Sequence, residues 1–165
     1  MHAARSLRHL FASRWLTRQR FTDEVDAAIE AAIRTAESRT SAEIRFVIET
    51  AIDPVAAWRD FSPRERALEV FAQFRVWDTE LRNGVLIYVL VADRDVEIVA
   101  DRGAAASTPP AGWEHAAKLM EDHFRAGRFR DGAIAGVASV AGLLEKYFPV
   151  RAGNRDELPN QPALL

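Results

Sequence analysis

The feature that most constrains the fold is an uninterrupted apolar run over residues 85–92, which the letters RNG precede directly. A run of this length, rich in β-branched residues, predicts a strand that is buried on both faces. Turn residues follow at 93–95, and residues 96–100 resume a strand pattern. Because so short a connection allows only antiparallel pairing, the two segments predict a hairpin at the centre of a sheet.

Helical and strand patterns surround this hairpin. Apolar residues recur at helical spacing over residues 23–38, residues 42–49 alternate like a strand, and the letters SPRE at 62–65 form a capping box that starts a helix. Two further helices are predicted, one from Trp113 and one over about residues 130–148, with a loop before them at 104–112. This order predicts an α/β fold, a sandwich around a small mixed β-sheet.

The connection between the first two predicted strands determines which polar residues meet. A helical crossover favours parallel pairing, and the hairpin then returns the third strand to the edge where the first two begin. At that edge we expect two sets of residues. The candidate metal ligands are Glu43, Asp78, Asn83 and Asp101, and the supporting residues are Arg82, Gly84 and Arg102. Carboxylate and amide oxygens suit a hard cation such as Ca²⁺ or Mg²⁺. The alternative is a polar edge in which arginines neutralise the acids.

Composition and charge exclude several classes of function. The formal net charge of -2 and the pI near 6.1 provide no basic field, so we expect no nucleic-acid partner. Cysteine is absent, which excludes thiolate nucleophiles and cysteine-bound zinc. The letters DRD at 93–95 resemble an aspartyl-phosphate motif, but the strand pattern resumes at once, so we interpret these acids as turn residues.

Residues 1–20 are predicted to form a basic amphipathic N-terminal arm. They contain five arginines and no acid, and the arginines interrupt every apolar run, which excludes the hydrophobic core of a signal peptide. An apolar stripe at helical spacing lies beside the cationic face: Leu7, Leu10, Phe11 and Trp15. Two hypotheses follow. The arm packs on its own domain and buries the stripe there, or it binds an anionic membrane surface or an acidic partner.

The C-terminal residues 150–165 follow Pro149 and are rich in proline and asparagine, which predicts a flexible tail. Residues 21–149 between the arm and this tail are predicted to form the α/β domain. The apolar section of its last helix is too short to cross a bilayer, which takes about 20 residues. We therefore expect a cytoplasmic protein.

Three blocks of the sequence resemble, in order, those of the TPM domain family: TSAEIRFVIE, RNGVLIYVLVADRDVEIVADRG and WEHAAKLMEDHFRAGRFRDGAIAGVASVAGLLEKYFP. The resemblance covers about residues 21–149, and it is most specific in RNGVL and in the F-x-x-G-x-F-x-x-G pattern. It implies an α/β/α sandwich. The family's motif residues correspond to Ser41 and Glu43 at the first strand, to Arg82, Asn83 and Gly84 at the second, and to Asp101 after the third.

The resemblance implies two kinds of function. Plant thylakoid members concerned with photosystem II repair are described as acid phosphatases, and some bacterial members bind divalent cations such as Ca²⁺. Many members carry acids after the third strand, where this chain has AAASTPP at 104–110. We therefore expect a soluble bacterial binding or assembly module with a weak or vestigial cation site and a protein partner, located in the cytoplasm and, through its arm, at the inner membrane face. The alternative is a divalent-cation-dependent acid phosphatase.

Overall fold

The computed structural model of the protein describes residues 2–151 and 155–165. Its helices are α1 (His2–Phe11), α2 (Arg14–Arg20), α3 (Asp23–Glu37), α4 (Pro54–Trp58), α5 (Pro63–Gln73), α6 (Arg102–Ser107), α7 (Pro110–Arg125) and α8 (Phe129–Glu145). Its strands are β1 (Ile44–Glu49), β2 (Val85–Leu90), β3 (Asp95–Ala100) and β4 (Ala163–Leu164).

The strands form one mixed sheet in the order β3-β2-β1-β4. β1 and β2 are parallel, with Ile44 opposite Val85, and β2 and β3 form an antiparallel hairpin, with Val85 opposite Ala100. The predicted parallel crossover and the predicted hairpin are both confirmed. This register places the starts of β1 and β2 and the end of β3 at one edge of the sheet.

Helices cover both faces of the sheet and complete the predicted three-layer α/β fold. One core lies between the sheet and α3, α7 and α8, and it contains Phe46 and Ile87. The other lies between the sheet and α4 and α5, and it contains Val47, Leu86 and Tyr88. Because neighbouring strand residues enter opposite cores, every residue of β1 and β2 is buried.

The last helix, α8, is a buried core helix as predicted, and its small residues allow close packing. A Cβ at Gly136 would collide with the side chain of Met120, so α7 and α8 approach each other through this glycine. No helix within residues 2–151 and 155–165 combines the length and the apolar character that a bilayer-spanning segment needs.

The loop predicted for residues 104–112 is wrong, because α6 and the start of α7 occupy most of it. Asp101 caps α6, accepting a hydrogen bond of 2.7 Å from the backbone nitrogen of Arg102 onto its side chain. The three alanines that follow are strong helix formers, and Pro110 takes the first position of α7, which proline favours. The two prolines thus mark a boundary between helices.

Residues 155–165 pack on the sheet instead of forming the flexible tail predicted for residues 150–165; residues 152–154 lie outside the described chain. β4 pairs in parallel with β1, and Leu158 is buried in the core below α5. Arg45 donates hydrogen bonds to the backbone carbonyls of Pro159, at 2.7 Å, and Gln161, at 2.5 Å. Composition does not reveal this docking because its acceptors are backbone groups, which every residue carries.

The N-terminal arm packs on the domain through its polar face. Arg5 donates hydrogen bonds of 2.9 and 2.7 Å to Asp93, and Ser6 donates one of 2.7 Å to the carbonyl of Pro54. The imidazole of His9 is buried, accepts from the backbone nitrogen of Ile52 at 3.2 Å and lies 3.1 Å from Asp93. The prediction that the arm packs on its own domain is therefore confirmed, but the burial expected for its apolar stripe is wrong, since these side chains are exposed: Leu7, Leu10, Phe11 and Trp15.

Candidate cation site

Three polar segments meet at the sheet edge where β1 and β2 begin and β3 ends. The backbone nitrogen of Val85 donates a hydrogen bond of 2.8 Å to the carbonyl of Glu43, which joins the starts of the two parallel strands. The nitrogen of Asp101 donates one of 2.9 Å to the carbonyl of Gly84, which joins the end of β3 to the start of β2. The predicted convergence of these segments follows directly from the strand register.

Asn83 connects the turn before β2 to the segment before β1. Its backbone nitrogen donates to the hydroxyl of Thr79 at 3.1 Å, and its side-chain nitrogen donates to the carbonyl of Ser41 at 2.7 Å. The side chain is fully buried, yet its Oδ1 has no hydrogen-bond partner among the described residues. A buried amide oxygen without a donor is costly, so its position is suited to a ligand.

Asp101 lies at the start of α6, and only one of its two carboxylate oxygens accepts a hydrogen bond from a described residue. Oδ1 accepts from the backbone nitrogen of Arg102, whereas Oδ2 is buried and has no hydrogen-bond partner in the described chain. The Arg102 guanidinium is largely exposed, and its Nε is 4.0 Å from the carboxylate, at the outer limit of an ion pair. One buried oxygen of a carboxylate is thus left free at this edge.

Ser41 contributes a third oxygen of the same kind. Its hydroxyl Oγ is buried without a hydrogen-bond partner in the part of the chain that the structure describes. Ser41 is hydrogen-bonded to Asn83, and Asp101 is hydrogen-bonded to Gly84, the residue after Asn83, so the three side chains belong to adjoining segments. A carboxylate, an amide carbonyl and a hydroxyl are oxygen donors of the type that hard cations prefer.

Glu43, also a predicted ligand, belongs to a different group of acids. Its Oε2 accepts hydrogen bonds from the backbone nitrogens of Glu157 and Leu158, at 3.1 and 3.2 Å. Glu37, Glu43 and Asp156 each offer an oxygen, and these oxygens lie within 4.8 Å of one another. The predicted set of ligands is thus divided, with Asp101 and Asn83 beside Ser41, and Glu43 beside the C-terminal segment.

Burial controls the protonation of this acid group. Loss of solvent, together with the nearby charges of Glu43 and Asp156, raises the pKa of Glu37 to about 8, although the hydrogen bond that Ile44 donates acts in the opposite direction. Burial likewise raises the pKa of Glu43 to about 7, although two backbone nitrogens donate to its carboxylate. Close to neutral pH the group therefore holds protons that exposed glutamates would release.

The remaining predicted residues lie around the edge in structural roles. Asp78 is exposed and pairs with Arg75 at 2.6 Å. Arg82 is exposed, has a left-handed backbone with φ of 53°, and its side chain makes no ion pair with any described residue, Asp78 and Asp101 included. A Cβ at Gly84 would collide with the carbonyl of Val76, so this glycine permits a close backbone approach.

Sequence reasoning missed Glu37, Asp156 and Asn160. Glu37 ends α3, where an acid normally faces solvent, but here its carboxylate accepts a hydrogen bond from the backbone nitrogen of Ile44 and lies beside Asp156 of the C-terminal segment. Asn160 is buried and its side-chain nitrogen donates to Asp156 at 3.1 Å. A usable signal for Glu37 was its position directly after Ala36, the last buried residue of the apolar stripe of α3.

Comparisons with known proteins agree with this geometry. The profile of the TPM domain matches residues 17–143. The solution structure of the BA42 protein from the psychrophilic bacterium Bizionia argentinensis is similar at a TM-score of 0.77 and 34% identity, over 87% of this chain and 94% of that one. The N-terminal domain of a protein from P. gingivalis shares the fold alone, at a TM-score of 0.55 and 20% identity over 77% and 78% of the two chains. No curated protein sequence matches the chain.

Proposed function

The chain belongs to the TPM domain family, and from this premise we propose that it is a binding module that holds a divalent cation weakly at the edge formed by Ser41, Asn83 and Asp101. One observation carries the proposal: each of these residues has a buried side-chain oxygen without a hydrogen-bond partner among the described residues. A cation with partly retained hydration would satisfy all three oxygens at once.

The donor set favours Ca²⁺ over Mg²⁺ and favours weak binding. Ca²⁺ accepts six to eight oxygens in flexible geometry, whereas Mg²⁺ demands a near-ideal octahedron and gives up water reluctantly. Asp101 is the only carboxylate of the three residues, so the protein offsets little of the ion's charge. We expect dissociation constants of the order of 10⁻⁴–10⁻³ M, the range of weak calcium modules with few charged ligands.

The test is the thermal midpoint of unfolding in CaCl₂, in MgCl₂ and in NaCl of equal ionic strength. A ligand that binds the folded state raises the midpoint by mass action, so Ca²⁺ should raise it beyond NaCl. Asp101→Asn should abolish the rise and preserve the fold, because asparagine is an equally good helix cap but lacks the charge. Asp78→Asn, at an exposed and paired position, is the matched control and should keep the rise. A midpoint that is insensitive to Ca²⁺ in the unmutated protein contradicts the proposal.

The alternative function, hydrolysis of phosphate esters, draws on one observation. The guanidinium of Arg102 is exposed beside Asp101, where it would meet a phosphate group bound to the cation. Asp101→Asn and Arg102→Gln, with Asp78→Asn as the control, decide this alternative in an assay with p-nitrophenyl phosphate. Hydrolysis that requires Ca²⁺ or Mg²⁺, Asp101 and Arg102 would establish a phosphatase; the binding-module proposal expects no hydrolysis above that of buffer.

A further inference from the structure

Large exposed apolar side chains are concentrated on the two N-terminal helices and on α4, against which α1 packs. Seven of the eleven found in the described chain belong to α1, α2 and α4, and we call this surface the N-terminal apolar face: Leu7, Leu10, Phe11, Trp15, Leu16, Val55 and Trp58. Single exposed apolar residues are ordinary, but a cluster on neighbouring elements marks an interaction surface. α1 packs against α4, so both helices contribute to the same side of the protein.

The exposure of this face results from the way in which α1 is attached. Its polar face is turned inward, since Asp93 binds Arg5 and lies 3.1 Å from the imidazole of His9. His9 is 3% exposed and Phe11 is 75% exposed, although both lie in the last turns of the same helix. An amphipathic helix normally buries its apolar stripe. Here buried polar contacts fix the orientation of α1, and this orientation exposes the apolar stripe to solvent.

Positive charge borders the apolar side chains. Arg14 is exposed between Phe11 and Trp15 in the chain, and its side chain makes no ion pair or hydrogen bond with any described residue. Arg59, which follows Trp58 directly, is exposed and equally free of side-chain partners in the described chain. Residues 2–20 contain no acid, and whereas Arg5 and Arg8 pair with Asp93 and Arg18 pairs with Asp26, the charge of Arg14 has no acidic partner in the described chain. The face therefore combines leucine and aromatic side chains with free guanidinium groups.

We propose that the N-terminal apolar face binds the surface of an anionic lipid bilayer. Leucine and aromatic side chains enter the boundary between headgroups and acyl chains, while arginines meet the phosphates. An anionic bilayer supplies an apolar layer and negative charge side by side, so it matches both components of this face. α1 and α2 are short, which suits reversible attachment in the plane of the interface. This inference is independent of the cation site, which lies at the opposite edge of the sheet.

The experiment is co-sedimentation of the full chain with vesicles of phosphatidylcholine, with and without phosphatidylglycerol. We expect binding to the mixed vesicles and little to pure phosphatidylcholine, with a loss of binding as salt is added. The double variant Phe11→Gln/Trp15→Gln should lower the partition coefficient at least about tenfold, because two large apolar side chains no longer enter the interface. Arg14→Gln should weaken binding to the mixed vesicles alone.

Trp77→Gln is the matched control, because Trp77 is also exposed but precedes β2, at the far edge of the sheet. It should bind the mixed vesicles like the unmutated protein, and circular dichroism should show that all variants are folded. Absence of binding to mixed vesicles overturns the proposal, and so does an equal loss in Trp77→Gln. Equal binding to pure phosphatidylcholine overturns the role of the arginines. A dimer in solution that the double variant disrupts would make a second copy of the chain the occupant instead.

Discussion

The side-chain nitrogen of Asn83 donates a hydrogen bond of 2.7 Å to the backbone carbonyl of Ser41, joining the start of β2 to the segment before β1. The two residues are 42 positions apart in the chain, and both side chains are buried. The oxygen of the same amide is buried and has no hydrogen-bond partner among the described residues. Asn83 thus supports the strand register with one atom, and the other is the atom that we propose as a cation ligand.

Asn83→Ala should lower the free energy of unfolding by about 1–3 kcal/mol, because the carbonyl of Ser41 would be left buried without its donor. Urea denaturation measures the loss. The control is Arg82→Asn at the neighbouring exposed position, where asparagine tolerates the left-handed backbone and the change should stay within about 0.5 kcal/mol. Equal stability of Asn83→Ala and the unmutated protein would remove the structural role assigned to this amide.

Gly84→Ala should destabilise the protein by more than about 2 kcal/mol, because the new Cβ would collide with the backbone carbonyl of Val76 and the turn would have to move. Gly142→Ala is the matched control. Its Cβ would meet no atom within 4 Å on the exposed side of α8, and alanine favours a helix by about 0.5–1 kcal/mol over glycine. The two variants should therefore shift the midpoint of urea unfolding in opposite directions, and a shift of Gly84→Ala toward higher stability would contradict the close approach.

The free energy of unfolding should fall as the pH rises, because Glu37 is protonated in the folded state and loses that proton at high pH. Its pKa is raised from 4.5 to about 8 in the folded state, so the folded protein retains a proton that the unfolded chain releases. The stabilisation is fully present below pH 4.5 and is lost as the pH rises through about 8. Glu43, with its pKa raised to about 7, adds a contribution of the same sign that is lost through about pH 7.

Glu37→Gln tests this relationship, because glutamine can still accept the hydrogen bond from Ile44 but carries no charge at any pH. Urea unfolding measured between pH 5 and 9 should show a shallower decline for the variant, which should be the more stable protein at the alkaline end. Glu24→Gln, an exposed position on the same helix, should follow the unmutated profile. Parallel profiles for Glu37→Gln and the unmutated protein would mean that the carboxylate ionises in the folded state without penalty.

Arg45→Met should release the C-terminal segment from the sheet. The guanidinium is buried and donates to two carbonyls of that segment, so its loss leaves them without a donor while methionine still fills the space beside Phe74. We expect faster hydrogen exchange at the amide of Leu165, which donates to the carbonyl of Ile48, and a loss of about 1–3 kcal/mol in unfolding free energy. Arg155→Met, exposed on the segment itself, should exchange like the unmutated protein.

Much of the fold could be predicted because it depends on neighbours in the chain. The strand pattern of 85–100, the capping box of Ser62 and Glu65, and the left-handed Gly127 after α7 are local signals, and each agrees with the structure. The convergence at one sheet edge followed from them, since a parallel crossover and a hairpin leave one arrangement. Prediction placed Asn83 and Asp101 at that edge, but it could not show which of their oxygens lacked a partner.

Hydrophobic periodicity and capping act over a few residues, so they were enough to predict β1, β2 and β3, the main amphipathic helices and the pairing of these three strands. Only the tertiary structure decided which face of α1 packs inward, since Asp93, which holds Arg5 and His9, is more than eighty residues away along the chain. It also decided that residues 155–165 pack beside Glu37 and Glu43. The carbonyls of that segment find their donors, and the pKa values of the two carboxylates rise, only when distant segments of the chain meet.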